Sequence, residues 1–285
     1  MIDLHTHTNY SDGTWNVRRL LEEAEKAKIE VLSITDHDTV KAYKELENKN
    51  VYKGKLITGV EFSTVYDGVA FHLLGYNFNY KKLNNWILKN YENKKPNLEK
   101  EFECMIQSCK KNNIKIGNLI YDKEKGWPID IIFPEIKKYD ENRRHFKEEE
   151  WNNIDVFFNS CITNKKFPVF VDFSIHYPKA DVVSNKVREA GGKLFIAHLF
   201  RYNLNNPIQF LDLLVKDKII DGVEVYHSSF TEEQSKILEE YCQNNNLLMS
   251  GGTDCHGDKK KDRKIGTGYG TMNVNKKILN SWEQS

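Results

Sequence analysis

Ile2-Asp3-Leu4-His5-Thr6-His7 is a short apolar run that ends in two imidazoles, and the same arrangement returns along the chain. His37 follows Val31 to Thr35, Glu61 ends the third run in Gly59-Val60-Glu61, and His72 lies in Phe71-His72-Leu73-Leu74-Gly75. His198 directly follows Leu194 to Ala197, and Asp254 and His256 follow Leu247 to Gly251. In an extended chain residues two apart point the same way, so His5 and His7 can reach one cation. One His-x-His pair means little in a chain with 9 histidines. A ligand-type residue behind strand after strand is a stronger signal than any single short motif.

With Ala70 to Leu74 and Gly222 to Tyr226, these runs alternate with segments of helical spacing. Val17, Leu20, Leu21, Ala24 and Ala27 recur behind a cap at Thr14, and Ile237, Leu238 and Tyr241 behind Thr231. The alternation reads as α/β, each strand feeding a helix. In barrels of parallel strands the loops at the carboxyl ends converge on one rim, and every candidate falls at that rim. Over 77–181 the alternation stops, in a stretch rich in Lys, Asn, Glu and aromatics. This segment reads as an insertion or lid, with a helix over Glu99 to Asn112 and a short strand over Phe167 to Phe173 that carries Pro168 near its start. His145 and His176 within it are set aside as ligands. The catalytic domain is expected over 1–76 and 182–285.

His5, His7, Asp12 (in Ser11-Asp12-Gly13), His37, Glu61, His72, His198, Asp254 and His256 are the candidate metal ligands. Imidazole and carboxylate without thiolate suit zinc, iron or manganese better than Cu(I) or an iron–sulfur cluster. Glu61 is the natural bridge, because a carboxylate can bind one ion through each oxygen. Two or three divalent ions (Mn, Fe or Zn) are expected. Cys255, between two ligands, is expected to pack and not to ligate. Asp36 and Asp38, on either side of His37, are expected to orient imidazoles or to cap the next helix.

A chain of 285 residues with 39% apolar and 12% aromatic content can bury a large core. Lys+Arg 42 against Asp+Glu 41 leaves no global field for nucleic acid or an anionic membrane, so anion recognition must be local. The chain shows no basic-then-apolar leader and no run of eighteen apolar residues, and is expected to be cytoplasmic and off the membrane. Its 5 cysteines are odd in number and lack CxxC spacing, which points to reduced thiols and no disulfides.

Taken together, HTH at 5–7 with SDG at 11–13, TDHD at 35–38, GVE at 59–61, FHLLGY at 71–76, AHLFRY at 197–202, GVEVYH at 222–227 and GTDCHG at 252–257 resemble the PHP (polymerase and histidinol phosphatase) family of phosphoesterases. The likeness is strongest to its trinuclear branch, which acts on AMP and nucleoside 3′,5′-bisphosphates, and it covers roughly 1–76 and 182–270. It implies a distorted (β/α)7 TIM-like barrel with an inserted, largely helical segment. It also implies one ion on His5, His7, Glu61 and Asp254, a second on Asp12, His37 and His256, and a third on Glu61, His72 and His198. Two departures bear on substrate choice: the family's Gly-Arg-Pro-His type of arm motif is missing from the insertion, and Leu199 replaces the usual proline.

The implied substrate is a small phosphorylated molecule, a nucleotide. The implied nucleophile is hydroxide from a water that the metal acidifies to a pKa of about 7, with no covalent protein nucleophile. Arg201, three residues after His198, offers a planar fork for a phosphate. His227, at the end of its strand, is placed to contact substrate or to protonate the leaving oxygen. Lys259, Lys260, Lys261, Arg263 and Lys264 read as a solvated loop. Two other activities share these residues: 5′ to 3′ exonuclease action on short RNA or DNA ends, which a few stacking and basic groups can hold, and a metal-dependent amidohydrolase. Glu61 as the bridge disfavours the latter. A silent scaffold would lack ligands, and none is missing.

Overall fold

A computed structural model describes residues 1–47, 52–92, 98–162, 167, 169–172, 177–202, 204–260, 263–270 and 272–282. The chain divides into two compact units, 1–93 with 178–285, and 94–177. The first unit begins β1 (Ile2–Asp3), α1 (Val17–Lys26), β2 (Val31–Ile34), α2 (Lys41–Leu46), β3 (Lys55–Tyr66), β4 (Val69–Tyr76) and α3 (Tyr80–Ile87). The second contains α4 (Leu98–Lys111), α5 (Pro128–Lys137), α6 (Glu148–Asn152) and α7 (Ile154–Phe157). The first then resumes with α8 (Ala180–Glu189), β5 (Lys193–Ile196), α9 (Pro207–Lys216), β6 (Gly222–His227), α10 (Glu232–Asn245) and β7 (Leu248–Gly252).

The 7 strands pair in chain order. Beyond the ends of β1 and β7, Leu4 N donates to Gly251 O (3.1 Å) and Asp254 N to His5 O (2.8 Å), which brings the first strand's extension against the last. The result is a mixed α/β fold with a nearly closed seven-stranded barrel, the class expected from the sequence. Its distortion is local. β1–β2, β2–β3, β5–β6 and β6–β7 are parallel, whereas β4 is antiparallel to both β3 and β5.

That reversal corrects the expectation that each strand feeds a helix. β3 runs five residues past Glu61 and turns straight back at Asp67-Gly68, whose φ angles are 47° and 73°. Two residues of positive φ between two strands form a tight hairpin of matching twist, and Asp-Gly is the sequence that favours it. Glu61 is therefore inside β3 and not at its end, and His72, paired opposite Ser63, reaches the site from a strand of opposite direction. Thr14 is likewise not the cap of α1. Asn16 accepts from Arg19 N there, while Thr14 Oγ1 accepts from Asp258 N (2.7 Å). Thr231 does cap α10, in a reciprocal pair with Gln234.

The two faces of the strands pack into separate clusters, as the period of two requires. Leu32, Ile34, Val60, Phe62, Leu73, Ile196 and Val223 meet Leu20 and Leu21 of α1, Val183 and Val187 of α8, Leu211 and Leu214 of α9 and Leu238 of α10. Ile2, Leu4, Ile57, Leu74, Tyr76, Phe195 and Ala197 pack with one another, and Tyr76 donates to Leu4 O (2.8 Å). In the second unit Phe102, Met105, Ile132, Ile136, Phe157 and Val169 form a core of their own.

The run over Phe167 to Phe173 is not a strand in its described part, because Phe170 N turns back onto Phe167 O (3.1 Å). Pro168, Phe173 and His176 lie outside the described residues. All five cysteines carry free thiols, and no described helix is long and apolar enough to cross a membrane.

Candidate metal centre

Glu61 stands at the middle of the candidate site. Its Oε1 lies 2.8 Å from His72 Nδ1 and 2.7 Å from His198 Nε2. Its Oε2 lies 3.0 Å from His5 Nε2, 3.2 Å from His7 Nε2 and 3.4 Å from His37 Nδ1. Asp254 Oδ1 is 3.2 Å from His7 Nε2 and 3.5 Å from both His5 Nε2 and His256 Nδ1. Asp12 adds Oδ2 at 3.0 Å from His256 Nε2 and Oδ1 at 3.6 Å from His7 Nδ1. All the candidate ligands therefore converge.

Among the described residues four groups have ligand atoms within 4.8 Å of one another: His5, His7, Glu61 and Asp254; His7, Asp12, His37 and His256; His37, Glu61 and His72; and His5, Glu224 and His227. His198 joins them through Glu61. The arrangement fits cations better than protons. His7 Nε2 and His37 Nδ1 are buried without a hydrogen bond, although carboxylate oxygens lie 3.2 Å from the first and 3.4 Å from the second. Buried polar atoms are nearly always satisfied, so two nitrogens that face carboxylates without proton sharing suit ligands of a cation.

The charges point the same way. Burial alone would raise Glu61, but His37, His5 and His72 hold its carboxyl well below the usual range, and His256 and His5 do the same for Asp254. Burial opposes a charge on His7, yet the neighbouring Asp254, Glu61 and Asp12 raise it to about 9. Burial prevails at His37, lowered to about 3, and at His198, lowered well below the ordinary imidazole value. The carboxylates are thus held ionised and His37 and His198 neutral, as a divalent metal needs, whereas His7 and His5, raised by the carboxylates around them, would give up a proton to a bound cation.

The backbone is shaped for this convergence. His198 and Asp254 adopt φ of 31° and 55°, a left-handed conformation that costs a non-glycine residue on the order of 1–3 kcal/mol and turns each chain sharply at its strand end. Gly252 leaves room for β1: a Cβ there would sit 2.2 Å from His5 N. Asp3, fully buried, accepts from Thr253 N and Oγ1 and from Gly266 N, which ties the Asp254 loop down.

Glu224 on β6 is an unexpected member. It is fully buried, its Oε1 lies 2.8 Å from His5 Nδ1, and its Oε2 accepts from His198 N at 2.7 Å. With the His5 proton on Nδ1, the Nε2 lone pair faces Glu61 and Asp254. An acid inside an otherwise apolar parallel strand was the available signal. Asp36 and Asp38, by contrast, make no direct hydrogen bond to an imidazole among the described residues, and α2 has no side-chain cap; Asp36 reaches His7 Nδ1 only through Ser11. Asp36 accepts from Thr8 N, Thr8 Oγ1 and Ser11 Oγ, and Asp38 from Ser63 N and Oγ, so both brace loops.

Arg201 donates to Asp254 Oδ2 at 3.1 Å. His227 presents a buried Nε2 without a hydrogen bond, 3.4 Å from the same oxygen, while its Nδ1 meets Ser229 Oγ. Burial lowers its pKa. Arg263 departs from the solvated loop expected of its charge run: it is buried and donates to Asp254 Oδ2. Lys259 and Lys264 are exposed, and Lys261 lies outside the described residues. Cys255 packs in the core. The edge facing solvent is formed by Asp12, His37 and His72, whose side chains are 16%, 25% and 29% exposed.

Residues 3–148 match the PHP domain, a span of half the chain that includes six of the candidate ligands, His5 through His72. The chain belongs to the PHP domain family. Over its length this PHP domain protein is 27% identical across 268 residues to a 5′-3′ exoribonuclease of Haemophilus influenzae, 89% of either chain. It is 38% identical over 78 residues to the 5′-3′ exoribonuclease Rnm of Escherichia coli, 26% of this chain and 27% of that one. Two solved structures share its fold. A candidate metal-dependent phosphoesterase of Bifidobacterium adolescentis superposes with TM-score 0.65 at 24% identity, covering 98% of this chain and 95% of that one. An amidohydrolase of Chromobacterium violaceum, solved with sulfate, does so with TM-score 0.67 at 17% identity, covering 98% and 96%.

Proposed function

We propose that this PHP domain protein is a metal-dependent phosphoesterase that removes 5′-terminal nucleotides from short RNA. The observation that carries phosphoester chemistry is the convergence of five imidazoles on the two oxygens of Glu61, two of them, His7 and His37, through nitrogens without a hydrogen bond. The Haemophilus relative, aligned over nearly all of both chains, supports RNA ends as substrate. Nucleoside 3′,5′-bisphosphates are a second reading on the same chemistry. Such a molecule carries a terminal 5′-phosphate and an ester at the 3′ oxygen, as the first nucleotide of an RNA does, and AMP is its smaller analogue.

His5, His7, Glu61 and Asp254 would hold one ion, Asp12, His37 and His256 a second, and Glu61 with His72 and His198 a third, with manganese, iron or zinc suiting the donors. Bound there, the ions supply an acidified water and positive charge for the phosphoryl oxygens. The protein's own groups do the rest. Glu224 keeps His5 in one tautomer, Arg201 takes the substrate phosphate in its fork, and the buried neutral His227 offers an Nε2 to the oxygens of the ester. The near-zero net charge suits short ends over long tracts. Residues 77–181 form the insertion in this scheme.

The test is a panel of 5′-phosphorylated short RNA, nucleoside 3′,5′-bisphosphates, AMP, histidinol phosphate and amides, assayed with Mn, Fe, Co and Zn. Release of 5′-mononucleotides from RNA is expected. Turnover confined to amides would refute the proposal.

A further inference from the structure

Asp254 is held unevenly. Its Oδ1 faces the imidazoles of His5, His7 and His256, whereas its Oδ2 takes two guanidinium groups, Arg201 at 3.1 Å and Arg263. The two arginines differ in access. Arg263 is 6% exposed and also reaches Tyr269 OH (3.4 Å), while Arg201 is 20% exposed and sits in the single turn that follows His198.

One carboxylate oxygen does not need two full positive charges. Removing both would strip Oδ2 of its two guanidinium donors, but removing one leaves the other in place. We propose that Arg263 is a positioning residue for Asp254, permanently bonded to Oδ2 so that Oδ1 alone serves the metal. Arg201 is thereby released from Asp254 to an incoming phosphate with no loss of that ligand's geometry. The two arginines thus have separate roles, since Arg263 keeps the ligand in place and Arg201 moves between ligand and substrate. This rests on the phosphoesterase reading for Arg201, but the role of Arg263 stands on Asp254 alone.

The two roles separate in binding experiments that need no turnover. Calorimetry measures manganese affinity of the apoprotein, and then orthophosphate affinity of the manganese-loaded protein, for the wild type and for Arg201→Gln, Arg263→Gln and Arg263→Lys. Arg263→Gln should weaken manganese binding about 10–100-fold, the usual consequence of losing a ligand's outer partner, with Arg263→Lys recovering only part of it. Arg201→Gln should leave manganese affinity within about threefold and weaken orthophosphate about tenfold or more, as expected for a lost charged fork. Should Arg263→Gln fail to fold, Arg263→Lys decides, with manganese affinity reduced and orthophosphate affinity retained. Unchanged manganese affinity in the Arg263 variants, or equal loss of orthophosphate in both arginine series, would overturn the division. A wild-type protein that passes these tests yet hydrolyses no phosphate ester would remove the proposed function and leave the role of Arg263 standing.

Discussion

Glu61, Asp254 and Glu224 carry the centre between them, and each does so with both oxygens. Glu61 spans His72 and His198 on one side and His5, His7 and His37 on the other. Glu224 faces only protein, pinning His5 Nδ1 and the His198 amide. Glu224→Gln should therefore lower manganese affinity about 10–100-fold with the fold retained, as measured by calorimetry beside circular dichroism. Affinity equal to wild type would show that His5 needs no orienting partner. The residues that converge were legible in the sequence because an imidazole or acid behind an apolar run is a local pattern. Glu224 and Arg263 were not, because their meaning lies in distant partners. Glu224 meets a histidine 219 positions away, and Arg263 sits in a lysine-rich run whose average behaviour is solvation.

At the scale of elements, strand periodicity and helix spacing lead to the α/β barrel, but strand direction does not follow from periodicity alone. β4 runs against its neighbours because Asp67-Gly68 closes a hairpin, a signal present in the sequence and outweighed there by the α/β alternation around it. The closure between β1 and β7 is a further property of no single strand. Gly252→Ala would place a Cβ 2.2 Å from His5 N, against backbone that cannot swing aside. Such overpacking costs about 1–3 kcal/mol or more, and a fall in thermal midpoint with weakened manganese binding is expected. A stable variant with full affinity would mean the closure is looser than described.

Helix α4 carries a pH effect unrelated to the centre. Partial burial raises Glu101 from 4.5 to about 7, so the folded chain keeps a proton that the unfolded chain releases between those values. Stability should then fall as pH rises through about 4.5 to 7, by roughly 1–3 kcal/mol. Glu101→Gln should abolish that loss: urea unfolding should find the variant more stable than wild type at pH 8 and no different at pH 4. An equal difference at both pH values would contradict the assignment.

Over the whole molecule, the site gathers residues from β3, β4 and the segments after β1, β2, β5 and β7, so it exists only when the barrel is nearly closed. Metal binding at this site would then be coupled to folding, since a ligand that binds only the folded state adds about 2.7 kcal/mol at a hundredfold excess over its Kd. All of this chemistry depends on these side chains surrounding shared cations. Anomalous diffraction from a crystal soaked in manganese reads that out at the ligands themselves. Peaks should appear between Glu61 and its imidazoles and beside Asp254, with His5 Nε2, His7 Nε2 and the carboxylate oxygens at about 2.0–2.3 Å. Manganese bound elsewhere, with no density between Glu61 and the histidines around it, would show that these residues are not ligands of a common ion.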